Sequence, residues 1–312
     1  MGNTCSSLTG IGTNEYLKRL CSTESICEND PFWNALLAFS LVDLDLVALS
    51  SSNSKLLDDT ASGLCKNIAI NNTRTGNFHT LVVYIIRRLD GVISSGVSDT
   101  ETNPFTWQVL NGLFIVRTVC KHFIQHLSEE VIIQQFLNTQ KTNETEPDTT
   151  ISNFMVSLLR GLTEIPIHET TVLLHLEIVN TLIVLLGMVM YQTDSAANNV
   201  FYIEVMQGEA AVYVENVMQF LLMAYSQHNS LPSYIYKEDE AASLSSTLWS
   251  VVTLGMSGAS ASDVRKVNLG TQCTLLLLIL TNHSDSENPY KNYLTSFMST
   301  ENKSVVKPEV GT

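Results

Sequence analysis

The fold is decided by the stretch NPFTWQVLNGLFIVRTVCKHFI, which runs from Asn103 to Ile124. Its apolar residues recur at helical spacing and cover two sides of the helix: Phe105, Val109, Phe114, Val116, Cys120, Phe123 and Ile124. A surface helix has one apolar stripe, so two stripes predict a helix that packs against neighbours on both sides. The sequence therefore predicts a protein made of packed helices.

The same stretch begins with a helix-start signal that occurs three times. Asn103-Pro104, Asp30-Pro31 and Asn288-Pro289 each place a short polar side chain directly before a proline. The polar side chain can accept hydrogen bonds from the free N–H groups of the first turn, and proline suits the first helical position because it has no N–H to satisfy. Three of the seven prolines thus mark helix starts, which argues against proline-rich linkers.

Helical periodicity continues on both sides of this stretch, and strand signals are few. Further helices are predicted over Ser54–Ile70, Phe78–Leu89, Ile151–Leu162, Thr170–Tyr191, Val212–Tyr225, Ser243–Leu254, Thr271–Asn282 and Asn288–Met298. The predicted fold class is all-α, a multi-helical stack. The chain contains no clean internal repeat, so regular tetratricopeptide or ankyrin arrays are disfavoured, and a degenerate HEAT- or armadillo-like α-solenoid stays open.

Composition predicts where this helical domain begins and ends. Residues 1–12 lack a helical period and are predicted to be a flexible N-terminal lipidation segment, followed by a helical domain over residues 13–300. Inside that domain, Asn138–Thr150 contains no aliphatic or aromatic residue and predicts an exposed loop. Residues 301–312 are predicted to be a polar tail that continues in a longer chain.

The charge balance excludes one class of partner. The chain has 17 Lys and Arg residues against 31 Asp and Glu residues, a net charge of -14. Nucleic acids and bare anionic lipids repel such a chain. We therefore expect no nucleic-acid binding, and any membrane contact must come from something other than a basic patch.

Cysteine usage and hydropathy indicate a cytoplasmic protein without a transmembrane span. The six cysteines are scattered, and the N-terminus lacks the apolar region of a signal peptide, so we expect reduced thiols. The most apolar run, Thr181–Tyr191, is shorter than the roughly 17–25 residues that a span requires. Extending it backward meets Asn180, Glu177 and His175.

Signals of catalysis are weak. Gly10-Ile11-Gly12 begins like a dinucleotide-binding motif, but the third glycine is missing and no strand precedes it. His122 and His126 lie one helical turn apart, as zinc ligands do, but Phe123 stands where the H-E-x-x-H motif needs glutamate, and no third ligand is near. We therefore predict no enzyme, with no catalytic, cofactor-binding or metal-binding residue; a zinc hydrolase built on the two histidines is the remote alternative.

The first six residues, MGNTCS, carry the strongest site signal. They fit the pattern for N-myristoylation, with Gly2 as the acylated residue after removal of Met1 and Ser6 at the favoured hydroxyl position. Cys5 is a candidate for palmitoylation, with an ordinary exposed thiol as the alternative. One myristoyl chain binds membranes only marginally, so stable residence needs a second signal, either acylation of Cys5 or a protein partner on the membrane.

Several blocks resemble the dymeclin family in order along most of the chain. They are NEYLKRLCSTESICENDPFWNALLAFS (Asn14–Ser40), RTGNF (Arg74–Phe78), WQVLNGLFI (Trp107–Ile115), LTEIPI (Leu162–Ile167), LWSVVTLG (Leu248–Gly255) and TLLLLILTNHSDSENPYKNYLTSF (Thr274–Phe297). The resemblance implies a peripheral protein of the Golgi apparatus that exchanges with cytosol, acts in Golgi organisation and vesicle traffic, and has no enzymatic activity. The family's N-terminal glycine would map onto Gly2. Family chains are much longer, so the resemblance covers roughly their N-terminal half.

Two main hypotheses follow. In the first, the protein is a myristoylated, non-enzymatic scaffold on the cytosolic face of the Golgi membrane, with unidentified protein partners. In the second, it is a soluble α-helical adaptor and the MGNTCS match is a coincidence.

Overall fold

The computed structural model of the chain describes residues 8–38, 51–95, 104–137, 148–190, 199–227, 261–282 and 287–305. Every regular element within these ranges is a helix, and none is a strand. The predicted all-α multi-helical stack is confirmed.

Twelve α-helices and three 3₁₀ helices make up this described part of the chain. The α-helices of the first half are α1 (Glu15–Leu20), α2 (Phe32–Ala38), α3 (Ser51–Thr75), α4 (Asn77–Ser95), α5 (Pro104–His126) and α6 (Glu129–Phe136). Those of the second half are α7 (Thr150–Glu164), α8 (Val172–Leu186), α9 (Val200–Gln207), α10 (Val214–Gln227), α11 (Ala261–Thr281) and α12 (Pro289–Val305). The 3₁₀ helices cover Leu8–Thr13, Gly187–Met190 and Glu209–Tyr213.

The proline-marked helix starts lie where the sequence predicts them. The Asp30 carboxylate accepts a hydrogen bond of 2.8 Å from the N–H of Phe32, the first residue of α2. The Asn288 side chain accepts one of 3.0 Å from the N–H of Lys291 in the first turn of α12. Helix α5 begins at Pro104. Each proline thus occupies a position where its missing N–H costs no hydrogen bond.

The other predicted helices are present wherever the structure describes them, with shifted ends. Helices α3 and α4 extend beyond their predicted limits at both ends. The predicted long helix Thr170–Tyr191 consists of α8 followed by the 3₁₀ helix Gly187–Met190. Helix α9 was not predicted, and the predicted helix Ser243–Leu254 lies outside the described residues.

The later helices pack as three successive units of three: α4–α5–α6, α7–α8–α9 and α10–α11–α12. Within each unit, the first helix contacts the second and third, and the second also contacts the third. Between units, α4 packs on α7 and α7 on α10, while α5 packs on α8 and α8 on α11. This arrangement is a short α-solenoid with an armadillo-like number of helices per unit, although the sequence carries no matching repeat.

Helix α8 forms the centre of the stack. All fifteen of its residues are buried, because α5, α7, α9 and α11 contact it from different sides. A helix enclosed in this way carries apolar residues around its whole circumference instead of along one stripe. This is the structural reason for the apolar run that the sequence shows near Thr181.

An aromatic cluster joins the first two units. The Phe136 ring, on α6, lies 5.2 Å from that of Phe78, 6.3 Å from that of Phe154 and 5.4 Å from that of Phe201, measured between ring centroids. The contacts to Phe78 and Phe201 are edge-to-face, which aromatic pairs favour. The short helix α6 is therefore held by tertiary contacts.

Candidate functional site

The candidate acylation residues Gly2 and Cys5, together with Ser6, lie outside the described residues. The first described element, the 3₁₀ helix Leu8–Thr13, packs along α3. This helix includes residues 8–12 of the segment predicted to be flexible, and its Ile11 is buried. The chain is thus docked on the helical body a few residues after Gly2.

Close packing and a helix cap fix this docked segment. Gly12 lies so near α3 that an added Cβ would stand 3.3 Å from Cγ2 of Thr60. After the 3₁₀ helix, the buried Asn14 side chain accepts hydrogen bonds of 2.9 Å from the N–H of Tyr16 and 3.0 Å from that of Leu17. These bonds satisfy two free N–H groups at the start of α1.

The connection between α3 and α4 holds the next part of the N-terminal region. Gly76 has a φ of 67°, a conformation that glycine adopts without strain. The fully buried Asn77 side chain accepts a 2.9 Å hydrogen bond from the N–H of Ile26 and donates bonds of 3.1 Å to the Leu20 carbonyl and 2.8 Å to the Glu24 carbonyl. Asn77 of the RTGNF block therefore clamps the loop between α1 and α2 to the start of α4.

A second buried asparagine extends this clamp to α6. The Asn72 amide donates hydrogen bonds of 2.8 Å to the Gln135 carbonyl and 3.0 Å to the Gln135 side-chain oxygen, and its own oxygen accepts a 2.7 Å bond from the N–H of Phe78. We call the contacts of Asn72 and Asn77 the asparagine clamp. Sequence reasoning used RTGNF only as part of a resemblance and did not predict this role.

An apolar cavity of about 40 Å³ lies beside the docked N-terminal segment. Its walls come from the 3₁₀ helix, α1, α3 and α5, and they include Ile11, Leu17, Leu57, Leu64, Ile115 and Val119. Burial raises the pKa of the Cys21 and Cys65 thiols in the same walls to about 12, so both thiols are uncharged at neutral pH. We call this space the N-terminal cavity.

A larger and more polar cavity of about 180 Å³ lies farther along the same α3–α5 interface and contains both candidate histidines. We call it the histidine cavity. Its lining includes Asp58, Lys121, His122 and His126, and the Lys121 ammonium lies 2.6 Å from the Asp58 carboxylate. The two cavities share Ala61, Cys65 and Thr118, so they are adjacent.

The histidine pair has the spacing that the sequence indicates, without the ligand set of a metal site. The ring centroids of His122 and His126 lie 4.3 Å apart. Burial, followed by the neighbouring His126, lowers the pKa of His122, which favours its neutral form. In the described part of the chain, no group of three or more His, Cys, Asp or Glu side chains is arranged to hold a metal ion.

A buried ion pair at the centre of the stack was not predicted from the sequence. The Arg117 guanidinium on α5 donates from Nε to the Glu177 carboxylate on α8 over 2.5 Å, and the two side chains are 15% and 10% exposed. Burial raises the pKa of Glu177, and the charge of Arg117 opposes that rise. The available signal was Glu177 itself, because a carboxylate in an enclosed helix requires a partner.

No described helix combines the length and the hydropathy that crossing a membrane would need.

Comparison with known proteins finds the same family along almost the whole chain. The family model described as "Dymeclin: Dyggve-Melchior-Clausen syndrome protein" matches residues 1–310. Dymeclin of Gallus gallus is 32% identical over 325 residues, which cover 97% of this chain and 48% of that protein. Dymeclin of Xenopus laevis is 31% identical over 98% of this chain and 48% of its own length, and that of Drosophila melanogaster is 26% identical over 95% and 48%.

The chain spans about half the length of these curated relatives. No solved structure matches it. The family match includes both the MGNTCS segment and the asparagine clamp. The chain belongs to the dymeclin family.

Proposed function

We propose that this chain is a non-enzymatic scaffold that associates reversibly with the cytosolic face of the Golgi membrane and acts in Golgi organisation and vesicle trafficking. Membership of the dymeclin family supports the proposal, since that resemblance implies a peripheral Golgi protein. The observation that carries the membrane attachment is the MGNTCS pattern, which directly precedes a segment docked on the helical body. A lipid on Gly2 would thus be tethered closely to that body.

The attachment requires more than one signal. A single myristoyl chain binds bilayers with an association constant of only about 10⁴ M⁻¹. The net charge of -14 adds no attraction to anionic lipids. Palmitoylation of Cys5 or a protein partner on the membrane supplies the second signal, and the helical stack offers grooves and ridges for partner helices or peptides.

The test compares wild type with Gly2→Ala and Cys5→Ser in cells fed alkyne analogues of myristate and palmitate. We expect myristate label on wild type and on Cys5→Ser, none on Gly2→Ala, and a loss of the Golgi-membrane fraction in Gly2→Ala. Palmitate label that disappears in Cys5→Ser would identify Cys5 as the second signal. Wild type without myristate label would refute the lipid anchor.

The alternative is a soluble α-helical adaptor that lacks a lipid anchor. It predicts an unlabelled wild type that reaches Golgi membranes as well as Gly2→Ala does. Recruitment would then depend on a protein partner, and surface substitutions on the helical stack would reduce it.

A further inference from the structure

We propose that the N-terminal cavity receives the end of the myristoyl chain on Gly2 whenever the protein is off the membrane. The acyl chain then exchanges between this cavity and the bilayer, and the cavity sets the fraction of protein in cytosol. This inference rests on the proposed acylation of Gly2 and adds its regulation.

The position of the cavity fits an acyl chain that is attached to the N-terminus. Ile11, in the wall, belongs to the first described helix, which begins only six residues after Gly2. Six residues span at most about 20 Å when extended, so Gly2 is confined to the neighbourhood of this cavity. An acyl chain on Gly2 therefore meets the cavity at a high effective concentration.

The chemistry of the walls fits a hydrocarbon. They are formed by aliphatic side chains, an aromatic ring and the uncharged thiols of Cys21 and Cys65. The hydroxyl in the lining, that of Thr118, donates a 2.8 Å hydrogen bond to the Phe114 carbonyl within α5. Water in this space would find few hydrogen-bonding partners, which makes an apolar occupant preferable.

The size of the cavity determines how much of the chain it holds. A cavity needs about 10–15 Å³ of volume to hold one water molecule, and a methylene group is of similar size. The 40 Å³ of the N-terminal cavity therefore accommodates about three or four methylene groups. Burial of each methylene raises the equilibrium constant for transfer from water into the cavity about fourfold. Three or four methylenes therefore favour the state with the acyl chain in the cavity by about 50- to 200-fold. That factor is large enough to compete with the marginal membrane binding of one myristoyl chain.

Ala61 offers a way to fill the cavity without touching the acylation signal. It is buried on α3 and lines the N-terminal cavity, and its replacement by leucine adds three carbons, about the capacity of the space. Ala61→Val adds fewer carbons and gives a graded series. Ala224→Leu is the matched control, because Ala224 is equally buried but lies on α10, away from the cavity.

The experiment uses the full chain, coexpressed with N-myristoyltransferase and fed myristate that carries ¹⁹F on its terminal carbon. Intact mass establishes acylation first; a chain that takes no acyl group refutes the proposed function itself. In acylated wild type without membranes, we expect the ¹⁹F signal to resist broadening by a water-soluble paramagnetic agent. In Ala61→Leu, we expect the paramagnetic agent to broaden the ¹⁹F signal.

Partition onto neutral phosphatidylcholine vesicles supplies the second measurement. We expect Ala61→Leu to raise the vesicle-bound to free ratio by up to about 50-fold, Ala61→Val to raise it less, and Ala224→Leu to leave it unchanged. Gly2→Ala in the Ala61→Leu background should abolish binding. Thermal melting of each variant verifies folding.

Three results would overturn the inference while leaving acylation intact. The first is a wild-type label as open to the paramagnetic agent as free myristate. The second is a shielded label that becomes exposed on dilution, since it would be buried between copies of the protein. The third is equal vesicle partition of folded, acylated wild type and Ala61→Leu.

Discussion

The asparagine clamp and helix α8 both bury polar side chains, but they do so in different chemical forms. In the clamp, Asn72 and Asn77 are neutral amides that bond mainly to backbone groups. In α8, the buried polar groups include Glu177 and His175, whose charge depends on pH. The clamp therefore has a constant hydrogen-bonding pattern, whereas α8 has a stability that partner charges and pH can change.

His175 shows most clearly how the hydrogen bonds of a buried group in α8 depend on its protonation state. Its Nδ1 lies 2.9 Å from the Thr171 carbonyl and its Nε2 lies 3.0 Å from the Ile165 carbonyl, so two acceptors face the ring. A neutral imidazole has one N–H and can donate to only one of them. Burial nevertheless lowers the pKa of His175, which favours that neutral form.

The largest expected effect comes from breaking the ion pair of α8. Arg117→Met leaves the Glu177 carboxylate buried without its cation, and we expect a loss of about 3–5 kcal/mol in the free energy of unfolding. Denaturation of the full chain in urea at pH 7 measures this loss. Glu24→Gln is the surface control, since Glu24 is exposed and pairs with the half-buried Arg19, and its effect should stay below about 1 kcal/mol.

The double variant Arg117→Met/Glu177→Leu separates pairing from packing. Without an orphaned charge, most of the lost stability should return, because apolar side chains of similar size replace buried ion pairs well. A double variant no more stable than Arg117→Met would contradict the view that an unpaired carboxylate causes the loss.

Most of the fold was predictable because helical periodicity and proline-marked starts are local signals. Helix α9 was missed because it has eight residues, and a helix so short depends on neighbours for its stability. Phe201 provides that support through its contact with Phe136, far away in sequence. The sequence leaves an armadillo-like α-solenoid open but does not locate its three-helix units, since each unit repeats a packing pattern without repeating residues.

The site was less predictable because its parts meet only after folding. Gly2 and Cys5 are recognised by a short linear pattern, and that pattern remains a prediction. The N-terminal cavity combines Ile11, Leu57 and Ile115 from three separate helices, and no spacing in the sequence connects them. The asparagine clamp likewise joins residues that lie about 50 to 60 positions apart.

The next largest effect concerns the clamp. Asn77→Ala leaves the N–H of Ile26 and the carbonyls of Leu20 and Glu24 without their partner, so we expect a loss of about 2–3 kcal/mol. Faster hydrogen exchange over residues 20–26 should accompany it. Asn67→Ala is the matched control, because Asn67 is exposed on α3. Equal stability of the two variants would show that the clamp contributes little.

Two glycines, Gly112 on α5 and Gly63 on α3, test how closely the helices pack. A Cβ at Gly112 would lie 2.6 Å from Cγ1 of Ile85 on α4, so Gly112→Ala should cost about 1–3 kcal/mol through overpacking. Nothing lies within 4 Å of a Cβ at Gly63, so Gly63→Ala should stabilise the protein by about 0.5–1 kcal/mol. Calorimetric melting compares both with wild type. A stabilising Gly112→Ala would mean that Ile85 moves aside freely.

The smallest effect appears only when the pH is changed. The pKa of His175 is lowered in the folded state from an unfolded value of 6.5, so the unfolded chain takes up the proton first as the pH falls. The stability associated with neutral His175 is complete above pH 6.5 and is lost below it, by at most about 1.4 kcal/mol per pH unit. His175→Phe keeps the stacking on Phe220 and removes this titration.

The difference in urea-unfolding free energy between wild type and His175→Phe, measured from pH 7 to pH 5, isolates His175 from His122, whose pKa is also lowered. Parallel pH profiles would mean that folding leaves the pKa of His175 unchanged. A wild type that instead gains stability relative to His175→Phe as the pH falls from 7 would mean that the two carbonyls hold His175 in its charged form, and α8 would then bury a cation.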